Sequence, residues 1–305
     1  MVGMIRIELA TSTLLMIMVY VMKFYRIVES LIKKIYQIPN YTKNKKLKIA
    51  FRSAIYNTSL KNNLIFSEHN KINYVLKNNE DISKFIFIKG EFDFGLLKKG
   101  LGFLRKKKLK YLINVGSHVG TTLIPAIKYK LFDHCIAFEP SIDNYRLLKA
   151  NININKIEKK VTLFNFGLSK KIYNSYLKKN PNDSGDSRVV KLKKGTEKIK
   201  LNILDNFTSK INKKNSIILI DAQGHEPEIF LGAKKTLKKK VPLIFELMPN
   251  LINENQLKII FNAILHYKKL IDLKEEKIME LNKTNFYKIY QHYLKNKFYT
   301  DLMIF

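Results

Sequence analysis

The sequence predicts an α/β fold in which a mostly parallel sheet is covered by helices on both faces. Apolar runs of strand length alternate with helical patterns from residue 111 onward. The runs are almost wholly apolar, as strands buried on both faces are. The first run stops at two glycines, Gly116 and Gly120, before a helical pattern begins. The 305 residues and 46% hydrophobic content suffice for one large domain with an extension, or for two small domains.

The elements follow in order along the chain. Strands are predicted at residues 112–115, 135–138, 161–166, 217–220 and 243–246. Helices are predicted between them at residues 119–130, 143–153 and 226–239, and Pro227 suits a first helical turn. A further helix is predicted at residues 256–267, and two late strands at residues 270–273 and 301–305. Right-handed crossovers then bring the carboxyl ends of the parallel strands, and a ligand site, to one edge of the sheet.

The amino-terminal part divides into two predicted segments. Residues 1–45 are predicted to form an apolar leader and a basic amphipathic helix, and residues 46–305 the main domain. In that domain, residues 46–110 are an extension, with a strand predicted at residues 85–88, and residues 111–305 are the core.

The leader does not match a membrane-spanning helix. Residues 9–22 form an uncharged stretch of 14 residues, whereas a spanning helix needs roughly 20, and no small-residue cleavage site follows. Residues 22–38 form a basic amphipathic pattern, which suits either an anionic membrane surface or packing on the chain's own domain. Alternatively, translation starts at Met22 and the preceding residues are not native. The predicted location is the cytoplasm, either free or bound at the inner face of the membrane.

The net charge of +31 comes from 56 basic and 25 acidic residues, but only six of the basic residues are arginines. The chain also contains 29 asparagines, and a joint excess of lysine and asparagine indicates codon bias. No zinc-finger spacing or RNA-binding aromatic motif is visible, so a solvated lysine surface is favoured over specific nucleic-acid binding. A negatively charged membrane or a polyanionic glycan remains an alternative partner. The single cysteine, Cys135, excludes an intramolecular disulfide and is predicted to be buried in a strand.

The glycine loop and the strand after it match a nucleotide-binding βαβ unit. Residues 111–120 read YLINVGSHVG, and residues 135–140 read CIAFEP, so that Glu139 follows Gly116 by 23 residues. Glycines let the backbone approach a ligand at a helix amino terminus. An acid at this spacing accepts hydrogen bonds from both ribose hydroxyls. The loop lacks the middle glycine of the dinucleotide fingerprint, so nicotinamide binding is the weaker interpretation.

Two further motifs lie downstream. Residues 216–237 read SIILIDAQGHEPEIFLGAKKTL, and residues 241–249 read VPLIFELMP. Together with the glycine loop and AFEP, they resemble the FkbM family of S-adenosylmethionine-dependent methyltransferases over residues 90–305. The resemblance implies a Rossmann-like class I methyltransferase fold, with a mostly parallel seven-stranded sheet whose last strand, residues 301–305, is antiparallel. It also implies that residues 46–305 are an FkbM-type methyltransferase domain with S-adenosyl-L-methionine as cofactor.

The resemblance further implies which residues bind the cofactor. The glycine loop passes under its methionine part, Glu139 binds its ribose, and the segment after the third strand forms its adenine slot. Core packing is an equal alternative for Phe166. The implied cofactor-binding residues are Asn114, Gly116, Ser117, Gly120, Glu139, Phe166, Gly167 and Asp221.

The loop after the fourth strand borders the transferred methyl group in this architecture. A base there assists an alcohol acceptor, and the candidate catalytic residues are Asp221, His225 and Glu226. The unperturbed pKa of a histidine lies near neutrality, which favours His225, although an exposed loop histidine is an equal alternative. Glu226 could equally cap the following helix. His118, in the glycine loop, is expected to face solvent.

Two positions depart from the family pattern. Asn114 stands where the family usually has Asp, and Gln223 where it usually has Glu. The loss of two carboxylates argues against a metal site and raises the alternative of a degenerate, non-catalytic module that binds a membrane or a glycan. The favoured prediction is O-methylation of a hydroxyl on a sugar, glycan or secondary metabolite. A nicotinamide-dependent oxidoreductase is the remaining alternative.

Overall fold

The computed structural model describes residues 45–59, 63–106, 108–180, 183–190 and 196–305. The chain divides into two compact units, Met1–Ser59 and Leu60–Phe305, whereas the sequence places a boundary between residues 45 and 46. The described part of the first unit is a single helix, α1 (Lys45–Thr58). The predicted leader and the amphipathic segment at residues 22–38 lie outside the described residues. No helix in the described ranges combines the length and the apolar character needed to cross a membrane.

The second unit begins with a hairpin and two helices. Strands β1 (Leu64–His69) and β2 (Ile72–Lys77) pair antiparallel, and helices α2 (Asp81–Lys89) and α3 (Phe94–Phe103) follow. The strand predicted at residues 85–88 is therefore wrong, because these residues lie inside α2. A short apolar run has no periodicity that separates a strand from a buried helical turn.

The remaining elements follow in chain order. They are β3 (Leu109–Val115), α4 (Leu123–Lys128), β4 (Phe132–Phe138), α5 (Ile142–Ile154), β5 (Val161–Phe164), β6 (Gly167–Leu168), β7 (Tyr173–Asn180), β8 (Asp183–Val190), β9 (Glu197–Asn202), β10 (Ser216–Ile220), α6 (Glu226–Leu231), α7 (Lys234–Lys238), β11 (Leu243–Leu247), α8 (Glu254–Ile264), β12 (Lys269–Asp272), β13 (Lys277–Glu280), α9 (Lys283–Asn296) and β14 (Thr300–Ile304). Helix α4 is shorter than predicted, and Gly232 divides the helix predicted at residues 226–239 into α6 and α7.

The main sheet confirms the predicted fold class. Its eight described strands have the order β13-β12-β14-β11-β10-β3-β4-β5. Strands β5, β4, β3, β10 and β11 are parallel neighbours, and β14 is antiparallel to both β11 and β12. The antiparallel last strand is therefore confirmed. The edge strand β13, which pairs antiparallel with β12, adds an eighth strand to the seven that were predicted.

Helices cover both faces of this sheet. On one face, Ile244 of β11 lies against Gly100 of α3. On the other face, Phe245 belongs to a core cluster with Leu257 of α8 and Phe286 of α9. The chain order reverses direction between β3 and β10, and ligands bind at such a switch point in open α/β sheets.

A second sheet, which the sequence did not predict, lies between residues 167 and 202. Its order is β6-β9-β7-β8, and it has a small core of its own around Leu177, Ile199 and Leu201. The strands contain few apolar residues and many lysines, asparagines and serines, and a clear apolar alternation is confined to Ile199 and Leu201 of β9.

Candidate active site

Five neighbouring strands each place one residue in a single row across the main sheet, which we call a level, at the carboxyl edge of its parallel strands. Strands β4, β3, β10 and β11 pair in parallel and in register, so the residues that follow their last paired positions lie side by side. Strand β14 joins this level through a pair between its Asp301 and Glu246. From β4 to β14, the level carries Glu139, Gly116, Asp221, Glu246 and Asp301.

All five residues line a cavity of about 340 Å³. This volume lies within the range of roughly 300–1,000 Å³ that small-molecule sites occupy. The second sheet and the segment before α3 contribute further walls. The predicted site residues that line the cavity are Asn114, Gly116, Ser117, Glu139, Gly167, Asp221 and His225.

The carboxylate of Glu139 is fixed by the backbone around it. Its Oε2 accepts a hydrogen bond from the His118 N–H at 2.8 Å, and its Oε1 accepts one from the Ser141 N–H at 2.9 Å. The side chain is 5% exposed. Burial raises the pKa of Glu139 to about 7, against the opposing effect of the two backbone N–H groups. The carboxylate therefore lies in the cavity in a fixed orientation.

The glycine loop packs directly against the loop after β10. Gly116 has φ +78°, and a Cβ atom built on it would lie 1.8 Å from the Asp221 carbonyl oxygen, so only glycine fits. Asn114 is 3% exposed, and within the described part of the chain its Oδ1 has no hydrogen-bond partner. Gly120, in contrast, is a packing position: a Cβ there would meet the side chains of Ile124 and Leu148.

The expectation that His118 faces solvent is wrong. The imidazole is buried, and its Nε2 lies 2.6 Å from the Ser184 Oγ of β8. The Ser184 hydroxyl donates in turn to Glu80 at 2.7 Å. Burial lowers the pKa of His118 to about 4, so the ring is neutral at physiological pH. This chain of hydrogen bonds ties the glycine loop to the second sheet, which closes the cavity on that side.

The loop after β10 joins two carboxylates through one amide. The Gln223 side-chain nitrogen donates to Asp221 Oδ1 at 2.8 Å and to Glu246 Oε2 at 3.1 Å. Burial, followed by the charge of Asp221, raises the pKa of Glu246 to about 11. Burial also raises the pKa of Asp221 and, with the charge of Asp221, raises that of Asp301 to about 8. At neutral pH, burial and mutual repulsion therefore keep a proton on the pair formed by Asp221 and Glu246.

The other two candidate catalytic residues occupy different positions. His225 lines the cavity, and its Nε2 lies 3.1 Å from the Ser169 Oγ. Burial lowers the pKa of His225 to about 4, so its titration lies far from the neutrality that the sequence led us to expect. Glu226 is 1% exposed, does not line the cavity, and accepts a hydrogen bond from the Ala222 N–H at 2.8 Å. The Ala222 N–H lies in the loop before α6, and among the described residues the amino terminus of α6 has no side-chain cap, so the capping alternative is not confirmed.

Phe166 also lies away from the cavity. Its ring packs within 6 Å of three other phenylalanines, Phe138, Phe164 and Phe207, as the core-packing alternative predicts. Gly167 and Leu168, which follow it, do line the cavity.

Several cavity residues were missed by the sequence analysis. They come from segments with no recognisable motif, and they include Asp93, Ser184, Tyr299 and Asp301. The sequence did contain one indication of Asp301, namely the two predicted late strands. A strand that pairs with β11 must place one of its residues opposite Glu246. Among the described residues, no group of three or more His, Cys, Asp or Glu side chains is arranged to hold a metal ion.

Comparisons with known proteins give a matching family model and solved structures of low likeness. A family model described as "Methyltransferase FkbM domain" matches residues 114–288. No curated protein matches the chain. Among solved structures, methyltransferase FkbM from Methylobacillus flagellatus KT is 12% identical with a TM-score of 0.43, and the match covers 89% of this chain and 58% of that protein.

Two further solved structures show similarly low likeness. TYW2 of M. jannaschii, in complex with AdoMet, is 9% identical with a TM-score of 0.37, over 81% of this chain and 86% of that one. Precorrin-6y C5,15-methyltransferase from Geobacter metallireducens GS-15 is 10% identical with a TM-score of 0.36, over 69% of this chain and 87% of that one. The family assignment therefore rests on the family model, which spans more than half of the chain.

Proposed function

Because this chain belongs to the FkbM methyltransferase family, we propose that it transfers the methyl group of S-adenosylmethionine to a hydroxyl oxygen of a sugar, a glycan or a secondary metabolite. The observation that carries the proposal is the fixed carboxylate of Glu139 in the same cavity as Asp221. Glu139 binds the ribose of the methyl donor, and Asp221 removes the proton from the acceptor hydroxyl. A small-molecule or glycan acceptor fits a cavity of about 340 Å³ better than a nucleic acid does.

The residues of the cavity fit the cofactor. A carboxylate offers about four lone-pair sites, and two sites of Glu139 are taken by the His118 and Ser141 N–H groups. The Asn144 side chain is a further partner of this carboxylate, and the hydroxyls of a ribose take the sites that remain. The free Oδ1 of Asn114 is an acceptor for the ammonium of the methionine part. Gly167 and Leu168 offer an apolar wall to the adenine.

When bound, S-adenosylmethionine supplies a methyl group on a positively charged sulfur, ready for in-line displacement. The protein supplies alignment of the acceptor and removal of its proton. Asp221 is the candidate base, because it follows β10 at the cavity wall and because burial raises its pKa, which makes the carboxylate a better proton acceptor than an ordinary aspartate. Asp221 and Glu246 are joined through Gln223, and burial raises the pKa of both carboxyl groups, so a proton taken from the acceptor can be held by this pair. His225 is neutral and lies on the cavity wall, where it positions the acceptor.

Calorimetry with S-adenosylhomocysteine tests the proposal. Binding in the micromolar range is expected, and a Glu139→Ala variant should lose at least about tenfold in affinity, since a charge-assisted hydrogen bond contributes roughly 1.5–3 kcal/mol. Glu158→Ala, a matched change at a residue outside the cavity, should bind as the wild type does. Absence of binding at millimolar ligand would exclude the methyltransferase function.

A further inference from the structure

Basic side chains concentrate along one edge of the main sheet. Six of its strands run in the same direction, since β11 and β12 are each antiparallel to β14, and a basic segment precedes each of the six. We call these segments the basic edge: residues 105–110, 128–130, 156–160, 210–214, 238–240 and 268–269. Fifteen of their described lysine and arginine side chains are exposed, whereas Glu158 is the one acid among their described residues.

The segments of the basic edge lie next to one another in space. The Leu109 N–H donates to the Leu131 carbonyl, and the Lys110 N–H donates to the Asn215 carbonyl, each at 2.9 Å. The strand pairs continue this order through β11 and β14 to β12. The seven strands from β5 to β12 span about 30 Å at a spacing of about 4.8 Å between neighbours. The basic edge is therefore one continuous row.

The opposite edge of the same sheet differs sharply in charge. No lysine or arginine occurs in the segments that follow β3, β4, β5, β10 and β11, which are residues 116–122, 139–141, 165–166, 221–225 and 248–253. A codon bias raises lysine throughout a chain, so it does not explain a difference between two edges. Helices α4, α5, α7 and α8 end at the basic edge, and a helix dipole favours a cation there. Segment 210–214 follows none of these helices, yet it has three exposed lysines.

Few of these charges are neutralised within the protein. Among the described residues, one ion pair involves an exposed cation of the basic edge, between Lys108 and Asp133 at 2.5 Å. The half-buried Lys239 instead donates to the Thr208 and Ile211 carbonyls at 2.6 and 3.3 Å, which holds segment 210–214 beside segment 238–240. The other cations repel one another, and an anionic surface relieves that repulsion.

We propose that the basic edge docks the protein on an anionic membrane surface. This inference does not depend on the proposed methyltransferase function. Each lysine near such a surface contributes roughly 1 kcal/mol. A bilayer surface is flat and wide, so it can engage many cations that are spread along a row of about 30 Å.

The side chains of the basic edge favour lipid over nucleic acid. Fourteen of the fifteen exposed cations are lysines, which act as point charges, whereas arginine is enriched where phosphates are held by paired hydrogen bonds. Three exposed apolar side chains lie within or beside the basic segments: Tyr129, Ile154 and Leu265 are 44%, 37% and 55% exposed. Apolar side chains among lysines enter the boundary between headgroups and acyl chains. Single-stranded nucleic acid instead stacks its bases on aromatic rings, and Tyr129 alone of the three is aromatic.

Docking through this edge keeps the candidate active site away from lipid. The cavity lies at the carboxyl ends of the parallel strands, and β3, β4, β10 and β11 have five to seven residues each. At about 3.3 Å per residue, the two edges are roughly 15–25 Å apart. The cavity therefore stays on the side of the molecule that faces water.

Flotation of the full chain with lipid vesicles at pH 7 and about 0.1 M salt tests the proposal. Vesicles of phosphatidylcholine with about 30% phosphatidylserine are compared with vesicles of phosphatidylcholine alone. We expect at least about tenfold stronger partitioning onto the anionic vesicles. Binding should weaken as salt rises towards about 1 M, because the screening length falls from about 10 Å to about 3 Å.

A matched pair of triple variants locates the contact. Three adjacent charges of the basic edge are removed in the variant with Lys213→Gln, Lys214→Gln and Lys238→Gln. This variant should bind anionic vesicles at least about tenfold more weakly, since roughly 1 kcal/mol per lysine allows a loss of about 100-fold. Its control removes three exposed lysines of the second sheet, by Lys178→Gln, Lys198→Gln and Lys200→Gln. The control should bind as the wild type does.

Each outcome supports or overturns the proposal. Equal binding to neutral and anionic vesicles would overturn it. So would a basic-edge variant that floats as the wild type does, because the contact would then lie elsewhere, for example in residues 22–38. Single-stranded RNA at the same phosphate concentration should leave the protein on the vesicles, and its complete release would identify nucleic acid as the preferred partner. If the triple variant fails to fold, Lys213→Gln and Lys238→Gln are measured singly, each with an expected loss of about fivefold.

Discussion

The contact between Glu139 and a ribose diol makes a quantitative prediction. Two of the roughly four lone-pair sites of the carboxylate are occupied by backbone N–H groups at 2.8 and 2.9 Å. The Asn144 side chain is a further partner, and the ribose hydroxyls take the sites that remain. Removal of one hydroxyl from the ligand leaves a buried charged acceptor short of one bond, at a cost of about 1.5–3 kcal/mol. The wild type should then bind adenosine about 10–150-fold more tightly than 2′-deoxyadenosine.

The perturbation is Glu139→Gln, measured against both nucleosides by calorimetry. A simple loss of affinity would be ambiguous, because Glu139 also holds the glycine loop through the His118 N–H. The ratio of the two affinities is not ambiguous, since loosening of the loop lowers the affinity for both nucleosides by the same factor. In the variant this ratio should fall to within about threefold of unity. The four affinities, of two proteins for two nucleosides, form a thermodynamic cycle that isolates the coupling free energy between Glu139 and the 2′-hydroxyl.

The pH dependence provides a second check on the same residue. The pKa of Glu139 is raised to about 7, and the ionised form is the one that accepts both hydroxyls. Adenosine affinity should therefore fall below pH 7, by up to about tenfold per pH unit. If Glu139→Gln discriminates between the nucleosides as the wild type does, the ribose assignment is refuted, whatever happens to absolute affinity.

Three further predictions concern catalysis and stability. Asp221→Asn should lower turnover by about 100-fold or more, as loss of a general base does, with S-adenosylhomocysteine affinity nearly unchanged; an equal loss in both would make the residue structural. Gly116→Ala should cost about 3 kcal/mol or more in chemical denaturation, since its Cβ would lie 1.8 Å from a carbonyl oxygen. Gly95→Ala, which has open space in α3, is its control and should be neutral or stabilising. The raised pKa values of Glu246 and Asp301 mean that the folded state binds more protons than the unfolded state from about pH 4.5 upward. The melting temperature without ligand should therefore fall as the pH rises through 8, and a Glu246→Gln variant should flatten this dependence.

The sequence predicted those parts of the fold that local patterns specify. The almost wholly apolar runs that became β3, β10 and β11 are typical of strands buried on both faces, and their alternation with helical patterns indicated a parallel sheet. The second sheet carries no such pattern, because its strands pack on one small core and leave lysine and asparagine side chains in solvent. The run at residues 85–88 was ambiguous for a related reason: four apolar residues fit one helical turn as well as a strand.

Side-chain direction is the property that the sequence determined least. The locations of Asn114, Glu139 and Asp221 could be predicted, because each lies at or near the end of a strand. The topology of a parallel sheet brings these ends to one edge. The sequence could not decide whether Phe166 or Glu226 turns into the cavity or away from it. That choice depends on two contacts. Phe166 packs on Phe207, which lies far along the chain, and Glu226 accepts a hydrogen bond from the Ala222 N–H, which lies in a loop.

The two amides that depart from the family pattern acquire a physical reason in the structure. An acid at position 223 would add another carboxylate beside Asp221 and Glu246, where burial already raises both pKa values. Gln223 instead donates a hydrogen bond to each of them, so it lowers the repulsion that an acid would increase. Asn114 keeps an acceptor oxygen on the cavity wall without adding charge. Both amides are therefore compatible with an active site whose carboxyl groups lie on or next to β10, β11 and β14, and they are not by themselves a sign of a degenerate one. A Gln223→Glu variant with full turnover and unchanged stability would contradict this argument.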